Sequence, residues 1–153
     1  MAVFVTVLFL AGTADGGRTA ALTQAESSLL TAMNEARRAH ALRPLRADGR
    51  LERAARGHSR EMLRKGTFCH GAFSARIRRV GIRAPRVGEN LAWEVGTLSR
   101  ARAIIRSWLA SPSHRANLLR PGFRLFGSGL VRAPGFLGNA DGAVWVTTFG
   151  ARS

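Results

Sequence analysis

Four histidines, one cysteine and nine carboxylates are the groups in this 153-residue chain that could hold a metal, move a proton or attack a substrate. Cys69 stands directly before His70, which admits a nucleophile reading. The other reading is a small buried residue where serine would serve. Nothing nearby marks an activating base, and that favours the second. A single cysteine allows no internal disulfide, so an exported chain would have to rely on its core, which this length permits. His40 and His58 fall on apolar faces of predicted helices and read as satisfied core histidines. Glu94 lies close to Glu89 in sequence, with its direction open.

Charge narrows the function classes. The formal net charge is +15, which ordinarily points to nucleic acid or an anionic surface. Yet Lys65 is the only lysine, and arginines are spread from Arg18 to Arg152 instead of gathering in one block. The pattern reads as a compositional preference for arginine. It supports non-specific attraction to anionic polymers, such as those of a cell wall, and no specific recognition of nucleic acid. No low-complexity tract or internal repeat is visible.

The elements that must position these groups follow from periodicity and caps. Residues 1–11 form an apolar run too short for a membrane span, followed by Gly12 and Ala14 at the −3 and −1 positions of a cleavage site. Residues 1–21 are therefore expected to be a signal peptide and short linker, although no Lys or Arg precedes the run; a buried N-terminal strand is the alternative. Residues 22–153 form one domain. Thr23-Gln24-Ala25-Glu26 is a capping box, opening a helix to about His40 with Leu29, Met33, Ala36 and His40 on one face. A second helix runs from Asp48 to Gly66, burying Leu51, Ala54, Ala55, His58 and Met62, with Arg53, Arg56, Arg60 and Arg64 on a solvated opposite side that needs no partner. A short basic helix covers Ala72 to Val80. A loop then leads into Glu89-Asn90-Leu91-Ala92. A helix opening near Thr97 or Ser99 turns Ala101, Ile104, Ile105 and Trp108 inward. Ser111-Pro112 restarts the chain as N-cap and first helical residue, placing His114 in the first turn of a helix ending near Leu119. Residues 124–131 and 143–149 alternate and are rich in β-branched and aromatic residues, which predicts two antiparallel strands. Helices first and strands last imply an α+β domain. Trp108 and Trp145 read as core, Trp93 as core or cleft wall.

Three segments, Thr67-Phe68-Cys69-His70, Gly88-Glu89-Asn90-Leu91-Ala92 and residues 108–119 (WLASPSHRANLL), resemble the bacterial CAP domains, the superfamily of cysteine-rich secretory proteins, antigen 5 and plant pathogenesis-related proteins. The resemblance extends to Asn34-Glu35-Ala36-Arg37, to residues 51–62, to Phe126-Gly127-Ser128-Gly129 and to Val144-Trp145-Val146-Thr147. It covers roughly residues 27–150 in the family's order. It implies a three-layer α-β-α sandwich with a central antiparallel sheet, and a secreted or cell-envelope location. By motif position, His70 and His114 match the family's two cleft histidines, and Glu89 matches one cleft glutamate. The second glutamate's place is taken by Ser111, so the full tetrad is not present. Asn90 is expected to tie the cleft loop through its amide. The rim after His70 is shorter than in many bacterial members, because Gly71-Ala72-Phe73 leads straight into Arg76-Ile77-Arg78-Arg79.

Two imidazoles and one carboxylate suit zinc or a similar divalent ion, and with an open position they make a catalytic zinc set. Hydrolysis would also need a base for metal-bound water, and no spare carboxylate is assigned to that task. The alternative is a polar network in which Glu89 accepts from an imidazole and fixes the cleft. Relatives include lipid and sterol binders, toxins and defence proteins, so two functions stay open. One is a non-enzymatic extracellular binding or signalling module for a lipid, peptide or cell-wall polymer. The other is a metal-dependent hydrolase of peptide or cell-wall material, with His70, Glu89 and His114 as ligands. The cleft set is His70, Glu89, Asn90, Ser111 and His114.

Overall fold

The capping box forms as its spacing predicts. In the computed structural model, which describes residues 21–152, the Glu26 N–H donates to the Thr23 hydroxyl and the Thr23 N–H to the Glu26 carboxylate. The segment expected to be a signal peptide and linker, Ala21 apart, lies outside the described residues. Helix α1 (Gln24–Ala39) buries Leu29 and Met33 as its period requires. His40 departs from expectation. It caps α1 from an exposed position, because the helix ends one residue short of bringing it over the core. Arg37 is buried instead: its guanidinium donates to the carbonyls of Arg43, Leu118, Arg120 and Phe123. Burial, with Arg124 nearby, moves its pKa below the usual arginine value.

Strand β1 (Arg46–Ala47) is followed by α2 (Gly49–Lys65), capped by Asp48 and closed by Gly66 in the left-handed conformation at φ 62°. Leu51, Ala54, Ala55, His58 and Met62 are buried, as their spacing predicts. Arg56 is not part of the solvated arginine face. Its Nε donates to Glu26 at 3.0 Å, joining α2 to the first turn of α1. Helix α3 (Phe73–Arg79) leads to β2 (Val87–Val95), so Gly88, expected in the loop before Glu89, already sits within the strand. A short 3-10 turn, Gly96–Ser99, precedes α4 (Ala101–Ala110), which starts slightly later than expected. Then follow α5 (Pro112–Leu118), β3 (Phe123–Arg132) and β4 (Gly142–Ala151).

The two expected strands are the middle of a four-stranded sheet ordered β1-β3-β4-β2. β4 pairs antiparallel with both β2 and β3, and the two-residue β1 adds a parallel edge. All ten residues of β4 are buried. Its side chains alternate between two helical layers. Trp145 and Phe149 enter the cluster of Leu29, Met33, Ile104, Trp108 and Leu118 from α1, α4 and α5. Val144 and Val146 meet Ala55 and Met62 of α2 on the other face, and Leu51, Ala54, Ile77 and Ile82 continue that layer under α3. This is the α-β-α sandwich. Helix α2 approaches β3 so closely that a Cβ at Gly127 would overlap the Leu51–Glu52 backbone, and one at Gly129 the backbone of Arg56. Trp93 is half-buried and packs against the core, edge-on to Phe136 at 6.4 Å between ring centroids.

Candidate functional site

The site is built around one end of the edge strand β2. Alternation puts Glu89 on the face of Leu91 and Trp93, toward α2 and α3, whereas Asn90 shares the face of Ala92, toward α4 and α5. Glu94 therefore points to the opposite face from Glu89 and cannot assist it.

On the first face the Glu89 carboxylate, 1% exposed, accepts from two cations or donors. His70 Nδ1–H donates to Oε1 at 2.9 Å, and Arg76 Nη2 donates to Oε2 at 2.6 Å. Arg76 also donates to the His70 carbonyl at 3.2 Å and lies over the Phe73 ring. One guanidinium thus fixes both the carboxylate and the backbone beside the imidazole. The bond from Nδ1 leaves His70 Nε2 as the unengaged nitrogen of a side chain 57% exposed. Behind it, His58 is buried as its position predicts, and Nε2–H donates to the Cys69 carbonyl at 2.8 Å, but its buried Nδ1 has no hydrogen-bond partner among the described residues, Glu61 lying 3.6 Å away. Cys69 itself is exposed, contrary to the expected small buried residue, because its loop is tied by that carbonyl and not by the thiol.

On the second face Asn90 is fully buried and donates to the His114 carbonyl at 3.0 Å. Asn117 donates to Asn90 Oδ1 at 3.0 Å and to the Glu89 carbonyl at 3.1 Å, while Trp108 Nε1 donates to the Leu91 carbonyl. Side chains from α4 and α5 thereby satisfy the outward carbonyls of the edge strand, which would otherwise invite another strand. Ser111 does not use its hydroxyl to cap α5. Its Oγ bonds His114 Nδ1 at 2.8 Å, and the imidazole stacks on Trp108 at 6.2 Å. Burial, and secondarily the nearby His70, lower the His114 pKa from the ordinary 6.5.

The five expected cleft residues are brought together in two linked groups: His70 with Glu89, and Asn90 with Ser111 and His114. His114 makes no hydrogen bond to Glu89. Among the described residues no group of three or more His, Cys, Asp or Glu side chains could hold a metal ion. The chemistry of the donor set explains why a divalent ion does not fit this arrangement. The Glu89 carboxylate is buried with a donor on each oxygen, and the Arg76 charge on Oε2 repels a second cation there. Arg76 and Asn117 were not singled out in the sequence. Arg76 sits in a run of basic residues that reads as a solvated face, and the only available signal was its place six residues after His70 on a shortened rim.

The architecture is that of known proteins. The profile of the cysteine-rich secretory protein (CAP) family matches residues 30–149, and the chain belongs to that family. It is 29% identical over 129 residues to an uncharacterized Bacillus subtilis protein, YkwD, covering 81% of this chain and 46% of the relative. The chain thus spans less than half the length of that curated relative. A solved extracellular protein of Bacillus anthracis containing an SCP domain is 26% identical, with a TM-score of 0.68 over 82% of this chain and 40% of that one. An outer surface protein of Borrelia burgdorferi shares the fold at 24% identity and a TM-score of 0.70, over 82% of this chain and 90% of that one. No helix among the described residues is long and apolar enough to cross a membrane.

Proposed function

We propose that this chain is a binding module of the cell envelope or its exterior, without catalysis of its own, whose ligand docks on the His70–His114 side of the β2 edge. The observation that carries this reading is the burial of Glu89 between two donors. A general base must reach the proton it takes, and a metal ligand needs an oxygen turned to the ion. The Glu89 carboxylate is 1% exposed and holds His70 with one oxygen and Arg76 with the other, so it acts as a buried anchor. What it anchors is a solvent-facing imidazole at the end of β2 where Ser111 and Trp108 hold the His114 ring, a surface with hydrogen-bonding groups at fixed positions. The extracellular and outer-surface descriptions of the solved relatives support the location.

Purified peptidoglycan sacculi are the probe. The wild-type protein is expected to co-sediment with them and release no soluble fragments, and His70→Ala with His114→Ala is expected to reduce co-sedimentation at least several-fold. Release of fragments that stops with Glu89→Gln, or stoichiometric zinc retained by wild type and lost from the double variant, would replace this reading with the metal-dependent hydrolase.

A further inference from the structure

The arginine faces of α2 and α3 enclose a hollow that the β2 site does not use. It has a volume of about 530 Å³ and is lined by Arg53, Arg60, Arg64, Arg76 and Arg79, with Gly57 on its floor. Arg76 is committed to Glu89. Arg53, Arg60, Arg64 and Arg79 are different: among the described residues none of them has a hydrogen bond or ion pair. The one acidic side chain in the lining, Glu61, is paired with Lys65 at 2.6 Å. Four arginines without a hydrogen bond or ion pair among the described residues therefore line one concavity, and only Arg53 feels a nearby carboxylate, that of Glu52. Like charges gathered this way repel one another and lower stability unless an anion joins them.

Two features set this apart from scattered basic residues. The first is the row itself. Arg53, Gly57, Arg60 and Arg64 recur at helical spacing along one stripe of α2, and α3 closes the other side. At 1.5 Å per residue the row from Arg53 to Arg64 is roughly 16 Å long, several times the size of one oxyanion. The second is Gly57. A glycine inside a helix costs roughly 1 kcal/mol against alanine. Here no backbone demand explains it: its φ is not in the left-handed region, and a Cβ would meet nothing within 4 Å. A side chain at that position would instead rise into the hollow between Arg53 and Arg60. The glycine keeps the floor open.

We infer that this groove is a binding site for a linear polyanion carrying tetrahedral oxyanions, phosphate or sulfate. Guanidinium matches such groups with paired N–H donors, and the length of the row favours several charges in a chain over a single ion. No aromatic side chain lines the hollow, so base stacking, the usual means of holding single-stranded nucleic acid, is missing. This goes beyond a diffuse attraction of a basic protein for acidic polymers, because it assigns the attraction to one place. It does not rest on the β2 site.

The test measures binding of linear polyphosphate and of heparin by fluorescence anisotropy across a salt series. Wild type is expected to bind at least one of them, and the tighter partner names the oxyanion. Arg60→Gln with Arg64→Gln is expected to weaken that binding at least ten-fold at low salt and to reduce the slope of log K against log salt by about two. Arg38→Gln with Arg106→Gln removes the same net charge from exposed positions on α1 and α4, in the other helical layer, and is expected to change affinity less than three-fold. Gly57→Glu, which places a carboxylate in the open floor, is expected to weaken binding as much as the groove pair while leaving the melting temperature unchanged or higher. Equal losses for the two arginine pairs, or no binding of either polymer by wild type, would overturn the assignment. Loss of sacculus binding on His70→Ala with retained polyanion binding would leave it standing.

Discussion

Glu89→Gln offers the sharpest probe of the site, because it preserves shape and removes charge. Glu89 is 1% exposed and its partner Arg76 11%. Removing one member of a buried ion pair costs about 3–5 kcal/mol, chiefly by leaving the other charge without a counterion. Arg76 keeps its bond to the His70 carbonyl and its contact with Phe73, which places the cost near the lower end, about 3 kcal/mol. With a urea dependence of about 2 kcal/mol per molar, the unfolding midpoint should fall by about 1.5 M. A second variant isolates the cause. Replacing the guanidinium as well, in Glu89→Gln with Arg76→Met, removes the stranded charge. The double variant should then be less destabilised than the two single changes added together, by about 1–3 kcal/mol. Urea denaturation followed by circular dichroism gives all four corners of the cycle. A midpoint that falls less than about 0.5 M for Glu89→Gln, or additivity within about 0.5 kcal/mol, would refute the view that the carboxylate is held as a buried ionic anchor.

Three further outcomes follow from other parts of the molecule. Gly127→Ala should destabilise by about 1–3 kcal/mol or more, since its Cβ would overlap the backbone of α2; a thermal melt within 2 °C of wild type, taken as roughly 0.5 kcal/mol, would contradict the close approach of helix and strand. Arg37→Leu should strand the Leu118 and Phe123 carbonyls in the core, at about 1–3 kcal/mol each, and a calorimetric melting temperature lowered by less than about 3 °C would rule that out. The His114 ring should titrate below 6.5 by NMR, and His70→Ala, by removing its secondary cause, should raise that value. The folded ring binds protons less readily than the unfolded one, so its contribution to stability is complete above about pH 6.5 and declines as pH falls through that value toward the folded pKa. A titration at or above 6.5, or one indifferent to His70, would count against the buried, stacked imidazole.

Local signals were legible in the sequence and long-range ones were not. The capping box at Thr23, the start of α2 near Asp48, its stop at Gly66 and its buried face are decided within a few residues, and all form as their spacing predicts. The pairing of His70 with Glu89 was one of the readings the sequence left open. The partners of Arg37 and Arg56 lie as many as 86 and 35 residues away, and a basic residue on a helix gives no sign of such a partner. Arg76 was hidden among neighbouring arginines for the same reason. Strand β2 was harder to read than β4 because Glu89 and Asn90 interrupt its apolar pattern, each buried only through partners on other elements. The exposure of Cys69 and His40 was missed because it depends on where a loop and a helix end fall over the core, which period alone does not set.

The place of β4 in the sheet has a consequence for how the domain comes into being. It is the last of the described strands along the chain and yet lies between the other two long ones, which have no other neighbour in common. Without residues through Ala151, β2 and β3 have nothing to zip onto and the two helical layers have no shared floor. The domain therefore cannot close from its earlier elements alone, and β4 completes it.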